Sequence, residues 1–209
     1  MKTGSFPTNQ VVSQTRMFAK DLGRVLVAIA LLLAAASVVA GPLVLSPQSL
    51  GTLPLGKGAK VSEQQLVKLF PQFVVTYEIG QGDSPDFHYF EVKDKKGDVL
   101  FAIKSFIEES AKSKKLDSAV AISILQVYGA QVRDSYGLKI GDRVKDIVKK
   151  RGKSLDFSAG HHHVSLGSGD IFYNIPVEID QSPELLKMGD AIKANGKIRS
   201  ISWPTAAWE

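Results

Sequence analysis

Three consecutive histidines, at positions 161–163 of the 209-residue chain, have the composition of a metal site. In an extended segment, His161 and His163 point to one face of the strand and His162 points to the other. Imidazole nitrogens bind zinc and copper, and a usable site needs a third or fourth ligand. His88 is the chain's remaining histidine and the candidate for that place. The alternative, which we favour, is a polar sheet edge that binds no metal.

Other catalytic patterns are weak or missing in this sequence. Asp134, Asp142 and Asp146 surround the start of a predicted helix, where Asp142 is more simply a helix cap than half of a catalytic carboxylate pair. The short glycine turns at 80–83 and 167–170 lack the Gly-Lys-Ser/Thr of a phosphate-binding loop. The chain has no cysteine, which excludes thiolate metal sites, cysteine nucleophiles and disulfides. We therefore expect no enzyme activity, no catalytic residue and no cofactor.

The charge distribution argues against nucleic-acid binding. Four of the 26 basic side chains and one of the 21 acidic ones lie within residues 1–40, so the rest of the chain carries 22 basic and 20 acidic groups. A protein that binds a phosphate backbone needs a basic surplus on its folded part. The sequence predicts no nucleic-acid partner.

Residues 1–40 are predicted to be an N-terminal extension followed by a signal peptide or membrane anchor. After Met17 come Lys20 and Arg24, then an apolar run over residues 25–33, then small residues over 34–40. This order of basic, apolar and small regions is typical of a secretory signal peptide. The position of Met17 leaves open whether translation starts there or at Met1.

Two outcomes remain open for this leader. Val38 and Ala40 suit the positions before a cleavage site, and Ala34 with Ala36 is a second choice. Alternatively, the uncharged stretch 25–45 stays in the inner membrane as an anchor. The body is periplasmic or secreted in the first case, and anchored with its domain outside the cytoplasm in the second.

Residues 41–59 are predicted to be a flexible tether, because they hold prolines and glycines without helical or alternating periodicity. Residues 60–209 are predicted to form a single α+β domain, in which a mostly antiparallel sheet packs against two or three helices.

Local patterns support this domain. Ser62 is a helix cap before the helically spaced Leu66, Val67 and Phe70, and Pro71 ends the helix. Residues 87–106 have the pattern of a hairpin, and the apolar run 119–129 that of a central strand. A second helix follows Asp142 and ends at Gly152, and a last short strand lies in 196–204.

Four short motifs occur in the order seen in a family of small envelope proteins. They are "KVSE" at 60–63, "YFEV" at 89–92, "GLKIGDRVKDIVKKRG" at 137–152 and "GKIRSISW" at 196–203. In this order the chain resembles the RpoE-regulated lipoprotein family of Gram-negative bacteria, whose function is unknown. The resemblance implies an α+β periplasmic domain and no established enzyme activity. The family's lipid-bearing cysteine is missing here.

The sequence thus favours a non-enzymatic periplasmic envelope protein that binds a partner or envelope component, with a possible stress-related role. The competing hypothesis is a metal-binding protein or metal-dependent hydrolase that uses the cluster His161 to His163 with His88. Trp208, beyond Pro204 near the C-terminus, is a candidate partner contact.

The leader gives a direct prediction. N-terminal sequencing of the protein recovered from the periplasm is expected to begin at Gly41, after cleavage behind Ala40, or at Ser37, after cleavage behind Ala36. A full-length product dissolved in the cytosol would contradict the assignment.

Overall fold

The computed structural model describes residues 43–81, 85–108, 118–152, 154–159, 163–176 and 196–205. The described residues form two sheets of more than two strands, one two-strand pair and two short helices. Most of the fold is therefore sheet.

An eight-stranded sheet dominates the molecule, and every neighbouring pair in it is antiparallel. Its order is β11-β12-β13-β14-β9-β7-β6-β5. In chain order its strands are β5 Val74–Gly80, β6 Phe87–Lys93, β7 Val99–Phe106, β9 Ile124–Val127, β11 Asp156–Ala159, β12 His163–Ser168, β13 Ile171–Pro176 and β14 Ser200–Trp203. The predicted hairpin over 87–106 and the interior position of the strand within 119–129 are both confirmed.

A smaller, four-stranded sheet has the order β10-β1-β2-β3. Its strands are β1 Val44–Ser46, β2 Ser49–Leu50, β3 Leu53–Pro54 and β10 Arg133–Asp134. The pairing of β1 with β10 is parallel, which brings the N-terminal end of the described chain beside its middle. A further pair joins β4 Lys60–Val61 to β8 Val120–Ala121.

The first helix, α1, covers Glu63–Leu69 and begins where the sequence predicts. The Ser62 hydroxyl accepts a hydrogen bond from the backbone N–H of Gln65 at 3.2 Å, as an N-cap does. Leu66 is buried, whereas Val67 is 51% exposed and does not join the core as its spacing suggested.

The second helix, α2, covers Val144–Arg151, and its start differs from the prediction. Arg143 is the N-cap, and its backbone N–H donates to the Asp146 carboxylate at 3.0 Å. Asp142 instead accepts from the backbone N–H of Lys139 at 3.1 Å, so it closes the preceding turn. The predicted end is confirmed, because Gly152 follows the helix with a φ of 85°, a conformation that favours glycine.

The apolar core lies on one face of the large sheet. Strand register aligns five buried side chains across neighbouring strands: Phe101, Val127, Ile201, Tyr173 and Leu166. Because successive side chains of a strand point to opposite faces, this row defines the core face. The small sheet and both helices contribute buried residues to the same cluster.

The α+β fold class predicted from sequence is wrong. The two described helices have seven and eight residues, and the small sheet supplies much of the cover that helices were expected to give. Several strands have only two residues, which is too short to produce the alternation by which strands are recognised.

The predicted flexible tether over 41–59 is also wrong where the structure describes it. Residues 44–54 form β1 to β3, and Leu45, Leu50 and Leu53 are fully buried. Gly51, for example, lies in a tight turn with a φ of 56°, a conformation that favours glycine. The folded body therefore begins before residue 60.

The predicted leader, residues 1–40, lies outside the described residues. Within the part of the chain that is described, no helix combines the length and apolar character needed to cross a membrane.

Substitution of Leu45 by alanine tests whether the segment that the sequence predicted to be a tether is part of the core. We expect Leu45→Ala to lower the free energy of unfolding by about 2–5 kcal/mol, because it leaves a cavity in packed surroundings. Val44→Ala in the same strand, at a side chain 37% exposed, is the control and should change it by about 0.5 kcal/mol or less. Equal, small effects in urea unfolding would mean that this segment does not pack.

Candidate functional site

The face of the large sheet opposite the core carries a row of polar side chains. Register aligns Ser165, Asn174 and Ser200 across β12, β13 and β14, and Ser202 faces Gln126 of β9. The first three are between 1% and 4% exposed, so these polar groups are buried. Buried polar groups require hydrogen-bond partners.

A hydrogen-bonded ladder connects these side chains across four strands. The Ser165 hydroxyl donates to Asn174 Oδ1 at 2.6 Å, and Asn174 Nδ2 donates to the Ser200 hydroxyl at 3.0 Å. Gln126 Nε2 donates to the same Ser200 oxygen at 2.9 Å. We call this set, Ser165, Asn174, Ser200 and Gln126, the polar ladder.

A cavity of about 190 Å³ opens beside the polar ladder. Besides three members of the ladder it is lined by Lys104, His163 and Arg199. The backbone N–H of Arg199 donates to the carbonyl of Asn174 at 2.9 Å, which fixes the start of β14 next to β13. We call this cavity the polar pocket.

A larger cavity, of about 560 Å³, shares Tyr128 with the polar pocket and is lined by acidic side chains. Asp94 accepts backbone N–H groups of its own turn, and Glu91 forms a salt bridge with Lys93 at 2.5 Å. Burial is the main cause that raises the pKa of Tyr89, which also lines this cavity, so its hydroxyl stays protonated. These contacts explain Asp94 and Glu91 as parts of the β6–β7 hairpin.

The structure separates two of the three predicted metal ligands. Tyr89 and Glu91 lie on the outer face of β6, and successive side chains of a strand alternate, so His88 lies on the core face. His163 lines the polar pocket on the opposite, outer face. Five strand spacings separate β6 from β12, about 24 Å. One metal ion cannot bind both side chains.

His88 has a structural environment of its own. Its Nδ1 lies 2.9 Å from the Tyr77 hydroxyl, and its side chain is buried. Burial lowers the pKa of His88, so the ring is neutral near pH 7.

His161 and His162 lie outside the described residues, as does Trp208, the predicted partner contact. Among the residues that are described, no group of three or more histidine or carboxylate side chains is placed to hold a metal ion. The pairing of His161 with His163 stays a prediction.

Asp134, one of the carboxylates noted in the sequence, is 2% exposed, and both of its oxygens accept hydrogen bonds. Its Oδ1 accepts the backbone N–H groups of Tyr136 and Leu138 at 2.9 and 2.7 Å. Its Oδ2 accepts a short hydrogen bond from the Tyr173 hydroxyl. Asp142 and Asp146 each accept a hydrogen bond from a backbone N–H group near α2, and neither of these bonds involves Asp134.

Arg151, the last residue of α2, contacts the same Tyr173 hydroxyl that donates to Asp134. Its guanidinium donates to the Tyr173 hydroxyl at 3.2 Å, to the Ile171 carbonyl at 3.0 Å and to the Ser168 carbonyl at 2.9 Å. Burial, and next the hydrogen bond to Asp134, raise the pKa of Tyr173, so its hydroxyl remains a donor. The Asp134–Tyr173–Arg151 link is structural, because every group in it binds another part of the fold.

Sequence reasoning missed the polar pocket. Its residues come from five separate strands, and they are far apart in the chain. The available signal was the repeated polar residue at alternate positions of "HVSLGS" and "SISW", which indicates strands with one polar face.

Comparison with known proteins identifies a similar fold. The chain resembles the uncharacterized protein yfeY from Escherichia coli, with a TM-score of 0.55 and 21% sequence identity over 77% of this chain and 99% of that one. At this identity the likeness concerns the fold alone. No protein-family model matches the sequence, and no curated protein does.

Removal of one hydroxyl tests the Asp134–Tyr173–Arg151 link. We expect Tyr173→Phe to lower the free energy of unfolding by about 1–3 kcal/mol, because the buried Asp134 carboxylate loses a donor. Tyr136→Phe, at a ring 46% exposed, is the matched control and should cost about 0.5 kcal/mol or less. Indistinguishable urea midpoints for the two variants would refute the structural role.

Proposed function

We propose that this chain is a non-catalytic binding protein of the bacterial cell envelope that recognises an envelope component in the polar pocket. The observation that carries the proposal is the buried polar ladder beside an open cavity. Polar groups are costly to bury, and most ligand sites are concave surfaces with a few convergent polar groups.

A binding role fits the pocket better than hydrolysis. A serine nucleophile needs a general base within hydrogen-bond reach. Ser200 accepts hydrogen bonds from two amides, and His163 lies two strands and two residues away, about 12 Å by sheet geometry. This serine and this histidine are therefore too far apart to act as a catalytic pair.

The envelope location rests on the leader. Basic residues, an apolar run and small residues precede the folded body, and cleavage after Ala36 or Ala40 would leave all described residues in the product. The body would then be periplasmic or secreted, or tethered outside the cytoplasm if the leader remains as an anchor.

We also propose membership of the RpoE-regulated lipoprotein family, supported by the four ordered motifs. Without a cysteine, this chain cannot carry a lipid through a lipobox thiol. It is therefore held at the membrane by an uncleaved peptide anchor or is not anchored.

Thermal unfolding in the presence of envelope fractions tests the binding function. Soluble periplasmic solutes, lipid extract and solubilised peptidoglycan fragments are added separately to the purified protein. A ligand at ten times its Kd stabilises by about 1.4 kcal/mol, or roughly 3–6 °C in Tm. We expect one fraction to raise the Tm of the wild type and to raise it less for Gln126→Leu, which breaks the polar ladder.

Gln64→Leu, at an exposed position of α1, is the matched control and should respond as the wild type does. The proposal fails if no fraction raises the Tm of the wild type, or if both variants respond equally.

A further inference from the structure

The charged groups of the polar pocket have one sign. Lys104 of β7 and Arg199 before β14 both line it, and none of the described lining residues is acidic. Neither of these two cations forms a salt bridge with a carboxylate of the described residues. Among the described residues the charged lining of the pocket is thus positive, with the Lys104 ammonium 4.9 Å from the centroid of the Phe87 ring.

One hydroxyl proton in the pocket lacks an acceptor among the described residues. A serine hydroxyl has two acceptor lone pairs and one donor proton. The Ser200 oxygen already accepts from Gln126 and from Asn174, so both lone pairs are engaged and the proton must point elsewhere. Ser200 is 3% exposed and lines the cavity, so this proton is available to an acceptor there.

From these two observations we infer that the polar pocket binds a phosphate group, with Arg199, Lys104 and the Ser200 hydroxyl as its donors. This inference rests on the proposed binding function and names its ligand chemistry. Guanidinium groups match the geometry of phosphate oxygens, and lysine adds a point charge. A hydroxyl whose own oxygen is fully occupied donates to an anion and cannot receive a cation.

The size of the pocket limits what enters it. Its volume of about 190 Å³ lies below the roughly 300 Å³ at which pockets for drug-sized ligands begin. Inorganic phosphate or the phosphate head group of a lipid fits this limit, and the rest of a lipid stays outside.

Calorimetric titration with inorganic phosphate and with glycerol phosphate, at about 0.15 M ionic strength to screen weak surface attraction, tests the inference. We expect at least one probe to bind the wild type, with a Kd at least tenfold weaker in Arg199→Gln and in Lys104→Gln. Ser200→Ala should weaken binding several-fold. Arg133→Gln and Lys145→Gln, at exposed sites outside the pocket, are the matched controls and should bind as the wild type does.

Vesicles of phosphatidylcholine with and without phosphatidylglycerol distinguish the source of the phosphate. Sedimentation with the anionic vesicles that is lost in Arg199→Gln, together with tighter binding of glycerol phosphate, identifies a lipid head group. Tighter binding of inorganic phosphate, without sedimentation, identifies a free solute.

The inference is overturned if neither soluble probe binds, or if the control variants lose binding as much as the pocket variants do. If an envelope fraction still raises the Tm of the wild type more than that of Gln126→Leu, the binding function stands and only the phosphate ligand is rejected. If no envelope fraction stabilises the protein, the binding function itself fails.

Discussion

The carboxylate of Asp134 is the point from which the separate parts of this fold are held together. Asp134 lies in β10, which pairs in parallel with β1. Its carboxylate closes the turn that leads to α2 and accepts a hydrogen bond from the Tyr173 hydroxyl in the middle of β13. Arg151 extends the same link from the end of α2 to the β12–β13 hairpin. A buried carboxylate is tolerated only when its oxygens are satisfied, so these partners must assemble together. The segments that meet here are distant in sequence, and this contact joins them.

The link also fixes the polar pocket on the opposite side of the sheet. Tyr173 and Asn174 are neighbours in β13, so their side chains point to opposite faces. A hydroxyl anchored to Asp134 on the core face therefore places the Asn174 amide on the outer face, in register with Ser165 and Ser200. A slip of one residue would exchange the two faces. In this way a structural contact in the core determines the geometry of the candidate site.

Local features of the fold were predictable from sequence, and its assembly was not. The Ser62 cap, the glycine after α2 and the hairpin over 87–106 depend on neighbours in the chain, and the residue types predict them correctly. The strands within 44–54 are too short for periodicity, and their leucines are buried in a core cluster built from distant parts of the chain. The polar pocket could not be predicted either, because strand register alone brings Lys104, Asn174 and Ser200 to one cavity. The histidine run was the most evident candidate site in the sequence, and His163 is the one of its three members that the structure describes.

Native-state amide hydrogen exchange in Asp134→Asn tests most directly whether this carboxylate holds the parts together. The useful reporters are the amides of Ser135, bonded to Leu45 of β1, and Arg199, bonded to Asn174 beside the pocket. The account predicts that both lose protection in the variant, while the amide of Ile107, bonded to Asp86 elsewhere in the fold, keeps it. Loss confined to the amides of Tyr136 and Leu138, which contact the carboxylate directly, would contradict it.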